Sequence, residues 1–146
     1  MDIIKIQQDL LAEIYDDVRP PFYTQVGEKR TMLINSPGSA AYLIPTKYLY
    51  LDVKHLKKIN RIPFQEYDLD KWTELVDTGT ALGSGKHTEK IYKRGDQKVY
   101  LDKSLLKHFD KGAKLYQEKD LNAVAVIEAG VVVAYVLPCR PPKENN

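Results

Sequence analysis

The stretch Gly79-Thr-Ala-Leu-Gly83-Ser-Gly85-Lys86-His87 holds residue types from which phosphate-binding loops are built. Such a loop needs two glycines with four residues between them, then Lys and Ser or Thr, so that backbone N–H groups, an ammonium and a hydroxyl converge on phosphate and magnesium. Counting back from Gly85 puts Thr80 where the first glycine belongs, and His87 stands in place of the hydroxyl. No long apolar strand leads in and no clear helix leads out, so the stretch reads as a glycine-rich hairpin connection. Other chemistry is equally sparse. His55, His87 and His108 share no ligand spacing and Cys139 is the one cysteine, which leaves zinc without a ligand set. Ser84 is too close to His87 in sequence for a nucleophile–base pair. Asp68 with Asp70, and Asp16 with Asp17, suit helix caps and solvated ends. Trp72 reads as core, His108 as a surface histidine, and Cys139, following an apolar strand, as a small buried side chain. No acid, base or nucleophile set assembles, so a binding protein without metal or cofactor is expected, with a small enzyme as the third reading.

Basic residues offer a second kind of chemistry. Lys103, Lys107, Lys111 and Lys114 are spaced by 4, 4 and 3. On a helix that spacing gathers them on one face, opposite Leu106, Phe109 and Ala113. Such a row could meet successive phosphates without reading sequence; it could equally be a solvated outer face. Lys54, Lys57, Lys58 and Arg61 add a patch if residues 53–60 are helical. Net charge is only +2, but its distribution is uneven: residues 1–19 carry five acids and two bases, residues 84–114 nine bases and four acids. The acidic first helix, with Asp9, Glu13, Asp16 and Asp17, would repel phosphate.

The 146 residues suffice for one domain (1–146) with a core that needs no disulfide. A composition 43% hydrophobic and 29% charged is that of a globular protein. Ten tyrosines suggest half-buried sheet positions or an interaction face. The start is not that of a signal peptide, no apolar run approaches bilayer-spanning length, and a lone cysteine fits a reducing compartment, so a cytoplasmic location away from membrane is expected.

Residues 4–6 alternate like a short strand, and Leu10, Leu11, Ile14 and Val18 then mark a helix that Asp9 caps and Arg19-Pro20-Pro21 ends. Hairpins are expected at 31–35/40–45, 88–92/98–101 and 123–127/131–138, each with glycine in its turn. A helix with Ser104 as cap carries Leu105, Leu106, Phe109, Ala113 and Tyr116, and Asp70 caps a short helix with Trp72, Leu75 and Val76. The tail 141–146 is expected to fray.

Two halves look alike as text. Leu10-Leu11 matches Leu105-Leu106 at an offset of 95, and Ala41-Tyr-Leu-Ile-Pro45 matches Ala134-Tyr-Val-Leu-Pro138 at an offset of 93. Each unit, about 1–53 and 99–140 with a connecting region of about 54–98, reads strand, helix, hairpin. A competing register, Tyr50-Leu-Asp52 against Tyr100-Leu-Asp102, has an offset of 50. The expected class is α+β: two repeated strand–helix–hairpin units with helices on one face of a mainly antiparallel sheet.

That plan, with Ala134-Tyr-Val-Leu-Pro138-Cys-Arg140 and Tyr100-Leu101 leading into Leu105-Leu106, resembles the DNA sliding clamps, in particular the bacterial polymerase III beta subunit family. The likeness covers about 99–140 well, 4–45 weakly and the middle hardly at all. It implies a DNA-clamp-like fold and a non-enzymatic accessory role, with double-stranded DNA against the helices and replication proteins as partners. The family's ring holds six such domains and this chain has length for one, so by the resemblance it either forms a homo-oligomer of six copies or does not encircle DNA at all. The family's closing strand borders a partner-peptide cleft, which carries over to Val136, Leu137, Pro138 and Arg140; the continuation through Pro141-Pro142-Lys143 departs from that pattern. Size alone suggests a bacteriophage or mobile-element product. The alternative is a protein–protein interaction module on a clamp-like fold, such as a phage modulator of a host factor, with no role on DNA.

Overall fold

A computed structural model describes residues 1–16 and 19–141. In chain order the elements are α1 (Ile3–Asp16), β1 (Phe22–Val26), β2 (Arg30–Ile34), β3 (Ala40–Pro45), β4 (Lys57–Lys58), β5 (Thr73–Glu74), β6 (Val76–Leu82), β7 (Glu89–Arg94), β8 (Gln97–Asp102), α2 (Lys103–Leu106), β9 (Lys114–Gln117), β10 (Val124–Glu128) and β11 (Val131–Val136). Single 3-10 turns occupy Thr46–Tyr48, Val53–His55 and Gly85–His87. The fold is mixed α+β and mostly sheet. An eight-stranded sheet runs β4-β1-β2-β3-β11-β10-β9-β5 and a three-stranded sheet runs β6-β7-β8. Among the described strands only β1 and β4 pair in parallel.

The strand order is symmetric about its centre. On each side of the β3–β11 pair a meander of three strands follows a helical segment, α1 before β1 and α2 before β9. Ala40, Ala41 and Tyr42 lie opposite Val136, Tyr135 and Ala134. Side chains alternate across the pleat. Leu33, Tyr42, Ile44, Leu115, Val124, Val126, Ala134 and Val136 pack on one face with Ile6 and Leu10 of α1 and with Tyr92, Val99 and Leu101 of the small sheet. Met32, Ile34, Ala41, Leu43, Ala125 and Tyr135 form the other face, covered by Trp72 and by Ile59, Ile62, Phe64 and Tyr67 of the connecting segment. The textual match therefore slips by one residue in space: Ala41 and Ala134 project from opposite faces, as do Tyr42 and Tyr135.

All three hairpins form where expected. The helices depart more. Residues 4–6 lie inside α1, which starts earlier because the Asp2 carboxylate accepts the Lys5 N–H. Asp9 is mid-helix and caps nothing. The buried stripe is Ile6, Gln7 and Leu10; Ile14 is half-buried, Leu11 is exposed, and Val18 and Asp17 lie outside the described residues. The expected helix at 53–60 is the 3-10 turn Val53–His55 followed by β4. The helix expected through Tyr116 is the single turn α2, capped by Asp102 rather than Ser104. Beyond it Leu115 and Tyr116 pair with Val126 and Ala125, so sheet pairing overrides the helical spacing. Asp70 sits in a turn before β5; Trp72 and Leu75 are buried, whereas Val76 is exposed. Of the frayed tail only Pro141 falls within the described residues, and 142–146 lie outside them.

Gln7 ties α1 to the chain that leaves β3. Its side chain is fully buried; its amide donates to the Ile3 and Tyr48 carbonyls (both 3.1 Å) and its oxygen accepts from the Tyr50 and Leu51 N–H groups (2.9 and 3.0 Å). Gln7→Leu would keep the volume and orphan one carbonyl and two N–H groups. It should cost about 3 kcal/mol, read as a lower urea midpoint with unchanged slope.

Candidate functional site

The four lysines expected on one helical face do not share one. Lys103 is exposed on α2, Lys107 follows it, Lys111 lies in the turn beyond and Lys114 opens β9. Lys107 is further committed, its ammonium 3.2 Å from Asp9 of α1. Lys111 and Lys114 border a cleft of about 350 Å³ with Glu74 and the Lys90–Asp77 ion pair, where carboxylates interrupt any positive surface. Lys54, Lys57, Lys58 and Arg61 are all exposed around the β4 edge, with no ion pair among the described residues.

Where α1 meets α2 a polar seam encloses about 160 Å³ between Asp9, Glu13, Tyr42, Lys107 and His108. His108 is buried rather than superficial, because its Nε2 meets the Asp9 carboxylate at 2.7 Å and its carbonyl accepts the Asp2 N–H at 2.7 Å. Sequence reading missed this pair, since 99 residues separate its members. Burial pushes the Asp9 carboxyl up, but hydrogen bonds from His108 and Lys107 outweigh it and hold the carboxyl below its ordinary value of 3.8. Burial and the Asp9 and Glu13 charges push the Tyr42 hydroxyl well above the usual tyrosine range. Asp9, through its contacts with Lys107 and His108, joins the two helical segments across the seam.

The segment after β11 makes a further concavity. Val136 is buried in the sheet opposite Ala40 and Val124, so it is not free to meet a partner as the clamp resemblance implied. Leu137 is exposed, and its N–H bonds the Ser39 carbonyl at 2.8 Å; Arg140 is exposed. Cys139 bridges the small sheet, its N–H on the Tyr100 carbonyl at 2.8 Å. Pro138, Cys139, Val99, Tyr100 and Leu121 thereby line a groove of about 210 Å³. Burial, reinforced by Glu89, pushes the Cys139 thiol up to about 11, so it is a protonated wall group and not a nucleophile near neutral pH.

Leu121 is the unusual member. It holds a left-handed conformation (φ 66°) and stays 59% exposed. Its turn is firmly tied: Arg94 donates to Gln117 (2.7 Å) and Asp120 (2.6 Å), Gln117 donates to the Asn122 carbonyl (2.9 Å), and Asn122 donates to Gln65 (3.1 Å). No sequence motif announces such a residue, because leucine is not a left-handed former.

Compared with known proteins, the chain matches no family model, none of the curated proteins and no solved structure. No helix among the described residues is long and apolar enough to cross a membrane.

The seam carries a pH signature. A carboxyl depressed in the folded state contributes stability above its unfolded pKa and loses it as pH falls through the folded value. Urea midpoints should drop on acidification below about pH 4, and less steeply in Asp9→Asn, which lacks the titrating group.

Proposed function

We propose that this chain is a non-enzymatic accessory protein on a clamp-like plan, and that its working contact is with protein. The symmetric strand order, with both helical segments against one face, supports the plan. The acidic surface of α1 and the engagement of Lys107 by Asp9 weigh against DNA lying along that face. The observation that carries the protein contact is Leu121: a strained backbone, held by a network of polar anchors, presents an apolar side chain beside the groove of Pro138 and Cys139. Strain of roughly 1–2 kcal/mol persists only where its surroundings enforce it, and such positions concentrate at binding sites. A replication or host protein offering an apolar anchor is the partner that suits this groove, and it would act inside a cell.

The test uses the trade between strain and binding. Leu121→Gly removes the left-handed cost and should raise stability by about 0.5–1 kcal/mol. A chain with a photo-crosslinking phenylalanine analogue at 121 should capture a discrete protein from extracts of its source cells. Unmodified chain should compete for that capture, and Leu121→Gly should not. Equal competition by both would remove Leu121 from the contact.

A second reading, binding of double-stranded DNA, is favoured by the exposed Lys54, Lys57, Lys58 and Arg61, which form no ion pair among the described residues. Lysines on a short edge strand also deter edge-to-edge pairing, which is their competing role. If they bind phosphate, Lys57→Glu/Lys58→Glu should weaken duplex binding and reduce the slope of log affinity against log salt by about 2. An unchanged slope in fluorescence anisotropy would leave them that protective role alone. A homo-oligomer belongs to the same proposal: a ring needs several copies, whereas the protein-groove reading is met by a monomer.

A further inference from the structure

The groove and the basic edge leave one surface unassigned, at the end of β3 remote from Leu137. Between the β1–β2 turn and the chain leaving β3 lies an open concavity of about 660 Å³ whose charged side chains are Lys29, Arg30, Lys47 and one acid, Glu28. Tyr48 borders it and is 53% exposed; Tyr50, two residues on, is also 53% exposed. Leu49, between them, has extended backbone (φ −79°, ψ 114°) and packs on the core with Leu51. Tyr48 closes the 3-10 turn and Leu49 caps it with its side chain on the core, which leaves the tyrosines on either side of Leu49 both exposed.

Large aromatic side chains exposed in tandem are normally loosely held, but these are fixed. The buried Gln7 amide bonds the Tyr48 carbonyl and the Tyr50 N–H, and the Tyr50 hydroxyl donates to the Ile4 carbonyl at 2.9 Å. Lys47 Nζ stands 4.9 Å from the Tyr48 ring centroid, a cation–π contact covering one ring face. A planar group stacking on the other face would have that ammonium beside it. Tandem aromatics on a rigid loop, flanked by an excess of cations, are the elements by which single strands are held: bases stack and phosphates meet lysine.

We propose that Tyr48 and Tyr50, with Lys29, Arg30 and Lys47, form a binding platform for single-stranded nucleic acid. Sequence preference is weak, because stacking accepts any base and no buried polar group faces the concavity to read one. The platform is independent of the Leu121 groove, and it is independent of Lys57 and Lys58, so each contact can fail without the others.

The experiment is fluorescence anisotropy of the full chain with a labelled oligothymidylate, titrated across salt concentration. Binding should weaken with salt. Tyr48→Ala and Tyr50→Ala should each lose roughly tenfold in affinity, whereas Tyr48→Phe, which keeps the ring, should bind as the parent does. Lys29→Glu/Lys47→Glu should lower the salt slope by about 1.4. Thermal melts would show that these exposed substitutions leave the fold intact; for Tyr50, whose hydroxyl bonds Ile4, Tyr50→Phe is the second variant and should retain binding. Absence of binding at low salt, or alanine variants that bind as tightly as the parent, would overturn the platform. So would a polyglutamate peptide that competes as well as the oligonucleotide, because the surface would then be a general anion site that ignores bases.

Discussion

Everything in the large sheet depends on the pairing of β3 with β11. Each strand brings its own antiparallel meander, and neither meander alone has the width to bury two faces. Their junction is made of small residues: Ala40, Ala41 and Ala134 are fully buried and lie opposite Val136, Tyr135 and Tyr42. Alternating small and large side chains across the seam lets two tyrosines leave it in opposite directions. One reaches the helical layer, where Tyr42 meets Phe109; the other reaches Phe64 and Trp72 on the far side. A larger residue at any of the three alanines would clash with an element on one face or the other.

The small sheet is tied to the large one by hydrogen bonds, that of Arg94 to Gln117 among them, and by the course of the chain. The chain passes from β5 directly into β6, and Cys139, just past β11, bridges to Tyr100 of β8. Strands that change sheet in this way close the sides of a layered core. The arrangement also explains why the groove exists. Gln97 to Tyr100 would otherwise be a bare edge, and the segment after β11 covers it incompletely beside the Leu121 turn.

Strands were the legible part of the sequence. The three hairpins announce themselves through apolar runs broken by glycine, and pairing between neighbours in the chain is a local property. The helix after β8 was misread because Leu105, Leu106, Phe109 and Ala113 do face one core, as helical spacing suggests, although a single turn and a loop suffice to bring them there. The lysine row failed with it. The textual match between the halves does not carry over to matched positions, since Ala41 and Ala134 project from opposite faces; small and aromatic residues alternate in both strands and either phase reads alike. The buried partners His108 with Asp9, and Gln7 with Tyr48 and Tyr50, were out of reach: a polar side chain inside the fold is defined by residues dozens of positions away. Leu121 was equally hidden, because its backbone conformation is imposed by Arg94 and Gln65 from elsewhere in the chain.

Residues 59–72 contain no helix or strand, and in a string of letters they pass for a tether between two structured halves. In three dimensions Ile59, Ile62, Phe64, Tyr67 and Trp72 roof an entire sheet face, and the Tyr67 N–H is pinned by the Tyr135 hydroxyl at 3.0 Å. Latitude for change is therefore apportioned against first appearance. The exposed β6–β7 loop can lengthen next to Gly83 with little disturbance, although Gly83 itself must stay glycine because its backbone is left-handed and a Cβ would come 2.6 Å from the His87 carbonyl oxygen, whereas the seemingly shapeless connector is bound to its length and its aromatic content, because shortening it would unroof the sheet.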